Sequence, residues 1–186
     1  VIDTLRAFSE DMLSGVLPEK IHNSLTLLIQ GYLIGSVLSL VFSALAVSSR
    51  AGRDLLSTLT AMLNPLPAIA LLPLALLWFG LGSGSLIFVI VHSVVWPIAL
   101  NTSAGFNSVS ETLRMTGKNY GLRGPRYVWH ILMPAALPSI LAGLKIGWAF
   151  AWRTLIAAEL VFGASVGTGG LGWHVFHNRN GACTGH

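Results

Sequence analysis

The sequence predicts an all-α, polytopic membrane helical bundle, and three observations carry that expectation. Of 186 residues, 53% are hydrophobic and only 10% charged, against about 25% charged in a soluble domain. Mean hydropathy is +0.70. Neither the tract between Lys20 and Arg50 nor that between Asp54 and Glu111 holds any Asp, Glu, Lys or Arg. A crossing needs roughly 20 mostly apolar residues, so these two tracts have room for three crossings.

Other classes are excluded on the same grounds. One cysteine, Cys183, rules out an internal disulfide framework. The net charge of +4 does not mark a nucleic-acid surface, because the basic residues sit at the ends of apolar runs, where they fix membrane orientation. No basic stretch followed by an apolar run opens the chain, so no signal peptide is expected.

Residues 1–23 are polar and read as a short amphipathic helix or surface segment ending near Pro18. A first span is expected at about 24–48, followed by a polar turn with Arg50, Arg53 and Asp54. The second, at about 55–79, carries Pro65, Pro67 and Pro73. Proline removes a backbone donor, and freed carbonyls are tolerated in a bilayer only against protein or a cavity. Pro65 and Pro67 therefore mark a kinked segment and are pathway candidates. After the 80–85 turn come a third span at about 86–101, a hydrophilic stretch at about 103–133, and a fourth span at about 138–162 within a membrane domain of 24–162. A glycine-rich segment and polar tail occupy 163–186.

Arg50, Arg53, Arg114, Lys118, Arg123 and Arg126 fall on one side of this arrangement. Arg6, Lys20 and Arg179 fall on the other, offset by Asp3, Glu10, Asp11 and Glu19. The positive-inside rule makes the 103–133 stretch cytoplasmic, with four spans and both ends outside.

Lys145, Arg153 and Glu159 lie within the fourth span, where ionisable groups face a bundle interior or an aqueous path. Lys145 is placed to snorkel. Arg153 is the deepest and would attract an anion, while Glu159 is expected in a wet outer mouth. Six residues apart, Arg153 and Glu159 occupy different helix faces. The pairs Gly31/Gly35 and Gly143/Gly147 suit close helix packing within the chain.

Several motifs fail on context. Gly167-Thr168-Gly169-Gly170-Leu171-Gly172 fits G-x-G-x-x-G but opens no βαβ unit. There is no G-x-x-x-x-G-K-[ST] phosphate loop, and His174 with His177 lacks further ligands for a metal. Gly82-Ser83-Gly84-Ser85 with His92 offers no oriented base for a serine hydrolase.

The cytoplasmic stretch is the most informative. Met115-Thr116-Gly117, then Tyr120, Gly121, Arg123 and Arg126, and Pro134 thirteen residues after Gly121, resemble the EAA loop of ATP-binding-cassette importer permeases. In that loop a glycine follows a Glu-Ala-Ala triplet by four residues. Here Met115-Thr116-Gly117 replaces the triplet, and Glu111, one turn earlier, is a partial substitute for its carboxylate. Pro65 through Gly80 with its Leu77-Trp78-Phe79-Gly80 end, and Lys145 through Leu160 followed by Gly169-Gly170-Leu171-Gly172, are similar to the nitrate, sulfonate, taurine and bicarbonate branch. The likeness runs over about residues 22–180.

The resemblance implies an importer-permease core in a bacterial inner membrane, doing no covalent chemistry. It implies cytoplasmic ATPase subunits that bind ATP and magnesium, a second permease subunit, an extracytoplasmic solute-binding protein, and no cofactor in this chain. Glu111, Met115, Thr116, Gly117, Tyr120, Gly121, Arg123, Arg126 and Pro134 would form the ATPase-coupling loop. It also implies a further helix on each side of the region, so the sequence is expected to be a fragment. The rival readings are an ATPase-independent secondary transporter and a membrane-embedded hydrolase using Ser83.

Overall fold

The computed structural model describes residues 16–47 and 49–166. Residues 1–15 of the polar N-terminal segment lie outside the described residues, as do 167–186 with Gly167–Gly172, His174, His177, Arg179 and Cys183.

Helix α1 runs Val16–Val47. It includes Pro18. Ser49 caps the next helix, its Oγ accepting from the Gly52 N–H at 2.9 Å, and α2 follows over Arg50–Leu63.

The kinked span expected at 55–79 takes the form of two helices joined at a break. After α2 the chain breaks at Asn64–Pro67, makes a 3₁₀ turn over Ala68–Leu71, and resumes as α3 over Leu72–Phe79. The halves bend by 88°. Pro65 and Pro67 cannot donate to the preceding turn, and Pro67 is extended at ψ 115. Gly80, at φ 71, ends α3 in the left-handed region. Ser85 fastens the turn by donating to the carbonyls of Gly80 and Ala75 at 2.6 and 3.2 Å.

Helix α4 spans Ser83–Ser108, extending seven residues beyond the expected end at 101 because its last two turns are helical though polar. Helix α5 is Glu111–Asn119 and α6 is the short Gly124–Tyr127. A π turn over Val128–Leu132 and a helical turn over Met133–Ala135 follow. Helix α7 runs Leu137–Val166.

Helix α4 is the centre of the bundle. A Cβ on Gly31 of α1 would lie 2.6 Å from Ile90, and one on Gly35 would lie 2.9 Å from Val94. On α7, Gly143 meets Asn101 and Gly147 meets Ile98 in the same way, at 2.9 and 3.0 Å. Both glycine pairs thus seat their helices on α4. Rising numbers match rising numbers on α1, and falling numbers on α7. So α1 and α4 run parallel, and α7 runs antiparallel to them.

This settles how the bent pair travels. Because α1 and α4 point the same way, the chain between them must return from one end of the bundle to the other. Leu56 of α2 packs with Ala46 and Ala99, near the C-terminal ends of α1 and α4. Leu72 and Ala75 pack with Leu86, Val89 and Ala158 at the opposite end. The α2–α3 pair is therefore a broken crossing, which with the three long apolar helices makes four among the described residues. Arg50, Arg53 and the α5–α6 hairpin share one end, as the charge count requires.

Candidate functional site

The hairpin between α4 and α7 is built at its base and open at its tip. Ser110 caps α5, its Oγ accepting from the Leu113 N–H, and Glu111 sits in the first turn, where a carboxylate complements the helix dipole. At the other end of α5 the Gly121 N–H donates to Lys118 O at 2.9 Å and the Leu122 N–H to Gly117 O at 3.1 Å. Those two bonds, with Gly121 at φ 72, are a Schellman cap. Gly124, at φ 58, completes the reversal into α6.

Gly117 is the packing point. A Cβ there would lie 2.9 Å from Tyr127 and 3.0 Å from Ile131, so α5 lies directly on the α6–π segment. Val128 and Leu132 in turn join Phe106, Val109, Ala136 and Ile140 in a buried cluster. The π turn precedes Pro134, whose ring would otherwise meet the His130 carbonyl one turn back. His130 Nδ1 pairs with Arg126 O at 2.9 Å.

Of the loop residues singled out in the sequence, Glu111, Met115, Thr116, Tyr120, Gly121, Arg123, Arg126 and Pro134 are exposed and Gly117 is buried. Tyr120 is 81% exposed and Met115 is 55% exposed. Gly117 therefore belongs to the hairpin's interior rather than its contact surface. Replacing Gly121 by alanine forces a Cβ into the left-handed region at about 1 kcal/mol. The expected result is roughly fivefold faster tryptic cleavage at Lys118 and Arg123 in the full-length protein, with an unchanged rate refuting the capping role.

The structure disperses the pathway candidates. Pro65 and Pro67 form the helix break, which borders a 200 Å³ cavity with His92, Ser93, Trp96 and Pro97 of α4 and Thr154 of α7. Arg153 is exposed on α7 beside Trp152 and Ala149, between Phe150 and Thr154 of the cavity lining, and Lys145 is exposed about two turns earlier. Among the described residues no hydrogen bond or ion pair holds the Arg153 guanidinium. Glu159 departs from expectation. It is 3% exposed and accepts from the Ser24 hydroxyl of α1, so it ties two helices together rather than sitting in a wet mouth. Its six-residue offset from Arg153 turns it inward to the small Ala158 and Ser24 side.

Ser83 and His92 do not make a hydrolase pair. Nine residues of α4 separate them by about 13 Å at 1.5 Å per residue.

Sequence reasoning missed Arg114. Its Nε donates to Val109 O at 3.1 Å and its Nη2 to Phe106 O at 2.5 Å, so it clasps the C-terminal carbonyls of α4 that lack intrahelical partners. An arginine a few residues beyond a helix end is a recognisable signal for this. It also missed Trp96, which carries no motif, and weighed His92 only as a hydrolase base.

Comparison with known proteins agrees with this architecture. Residues 28–181 match the family model of the binding-protein-dependent transport system inner membrane component. A taurine transport system permease protein of Escherichia coli is 37% identical over 66% of this chain and 43% of its own length. A nitrate import permease protein of a Synechocystis strain is 33% identical over 86% of this chain and 58% of its own. A bicarbonate transport system permease protein of Synechococcus elongatus is 31% identical over 84% and 56%. The chain spans about half the length of the curated relatives it matches. A four-crossing helical bundle with a basic, clamped hairpin at one end, matched over most of its length, belongs to the family of binding-protein-dependent transport system inner membrane components.

Proposed function

We propose that this chain is the core of the permease subunit of an ATP-driven importer in a bacterial inner membrane, forming part of the path for a small anionic solute. The named substrates of its relatives (taurine, nitrate and bicarbonate) share a small oxyanion group, which supports that solute class. Cytoplasmic ATPase subunits bind ATP and magnesium, a second permease completes the path, and an extracytoplasmic binding protein delivers the solute.

The observation that carries this reading is the α5–α6 hairpin, exposed and basic at its tip but fixed to α4 at its base. Met115, Tyr120, Arg123 and Arg126 offer a partner both apolar surface and positive charge. Displacement of the tip would reach α4 through Arg114 and Gly117, and then α1 and α7 through the glycine seats. Nucleotide acts on such a bundle only by favouring one of its states over another. The exposed face of α7 with Ala149, Trp152 and Arg153 suits contact with the second permease or the path, since a mid-span guanidinium is costly against lipid.

The test is an Arg123→Cys variant in the full-length complex, with Cys183 replaced by serine, cross-linked to cysteines on the ATPase. Cross-links whose yield changes between ATP-bound and nucleotide-free states are expected. Their absence from a fully assembled particle would overturn the reading.

A further inference from the structure

The cavity at the α2–α3 break lies midway along the length of α4. Trp96 is halfway along the 26 residues of α4, and His92 is one turn before it. Both discontinuities of the fold meet here. Asn64–Pro67 interrupts one crossing, and Pro97 interrupts hydrogen bonding in α4, since it cannot donate to the Ser93 carbonyl. Irregular backbone at membrane depth is tolerated where it lines a cavity, and midplane binding sites in transporters are built from such broken helices.

The side chains are equally particular. Both ring nitrogens of His92 and Nε1 of Trp96 are buried without a hydrogen-bond partner, and the two rings meet edge to face at 6.0 Å. A buried polar group left without a partner costs free energy, and these three atoms belong to two residues that line the cavity, so an occupant that the rings turn to meet would satisfy them. Trp Nε1 only donates, and neutral imidazole donates through one nitrogen. Asn64 adds an amide to the rim, and no Asp, Glu, Lys or Arg lines the cavity. At about 30 Å³ per water, a volume of 200 Å³ admits a small oxyanion with water.

We propose that this cavity is a transit site for the oxyanion group of the solute, held by hydrogen bonds from Trp96 and His92 rather than by a fixed charge. The proposal rests on the importer reading above and adds the place and the chemistry of solute contact. Neutral donors fit the task, because an ion in transit must bind well enough to enter and weakly enough to leave.

The test uses the full-length permease assembled with its ATPase and binding protein in proteoliposomes, with nitrate, bicarbonate and taurine as probes. Trp96→Phe keeps an aromatic ring and removes the N–H, and His92→Asn keeps a polar group of shorter reach. Each is expected to lower the amount of solute carried per ATP hydrolysed by about tenfold, the value of one hydrogen bond to a charged group, with ATPase stimulation by loaded binding protein retained. A merely structural role would lower uptake and hydrolysis together, and that result would overturn the proposal. So would wild-type ratios in both variants. If the wild-type complex carries none of the three probes in response to ATP, the importer reading fails and the transit site fails with it.

Discussion

Replacing Gly31 by leucine is expected to prevent stable assembly of the bundle. A single Cβ at this position would lie 2.6 Å from Ile90 Cγ2 and 2.9 Å from Ile90 Cβ, and Ile90 has nowhere to go. It is fully buried among Leu28, Val94, Ile98, Ala151 and Leu155, and its β-branched side chain is stiff. Helix α1 would have to withdraw from α4. In lipid no hydrophobic force draws the helices back, because tails are as apolar as the side chains, and association depends on close van der Waals contact and interhelical hydrogen bonds. Overpacking by one large side chain costs up to about 3 kcal/mol, more than a hundredfold in an equilibrium. The detergent-solubilised full-length protein should lose its monodisperse elution and its cooperative thermal transition. Adding Ile90→Ala should recover much of the loss, since the two positions are in contact and their effects should not add. A Gly31→Leu protein that melts like wild type would show that α1 does not sit on α4 at this point.

Much of this bundle is written openly in the sequence. The charge-free tracts mark where the chain can be apolar over a bilayer's thickness, the arginines mark one end, and the glycine pairs mark close seats. Gly121, the glycine of the coupling-loop resemblance, proves to be the left-handed cap of α5. What stayed hidden depends on tertiary placement. Inside and outside are both apolar in a membrane, so the faces of α1, α4 and α7 cannot be told apart by hydrophobic periodicity as in a soluble helix. That is why Glu159 reads as an outer-mouth residue although Ser24, 135 positions earlier, meets it inside. The prolines at 65 and 67 announce a break but not its 88° angle. Nothing local singles out Trp96, and His92 draws notice only beside Ser83, because the significance of both is the missing partner.

The hairpin yields the second large effect. On the proposed importer reading, replacing Arg114 by alanine is expected to uncouple solute uptake from ATP hydrolysis while leaving the bundle folded. The guanidinium is the clasp between α5 and the last turn of α4, donating to the carbonyls of Val109 and Phe106. It also places a positive charge at the negative end of the α4 dipole. Only Val109 and Ser110 separate the two helices, so without the clasp this joint can swivel, and motion at the tip no longer reaches α4. Hydrogen bonds from a charged donor contribute about 1.5–3 kcal/mol each. Taking about 2 kcal/mol for this half-exposed pair, the closed joint loses roughly thirtyfold in population against open ones. Solute uptake per ATP hydrolysed should fall by about that factor, with thermal stability close to wild type because the α1, α4 and α7 seats are untouched. Lysine should not restore it, since a single ammonium cannot reproduce the fork that reaches both carbonyls. Uptake and hydrolysis falling in parallel in Arg114→Ala would instead assign the arginine to folding. A variant with unchanged coupling would mean that force enters α4 by the Gly117–Tyr127 contact alone.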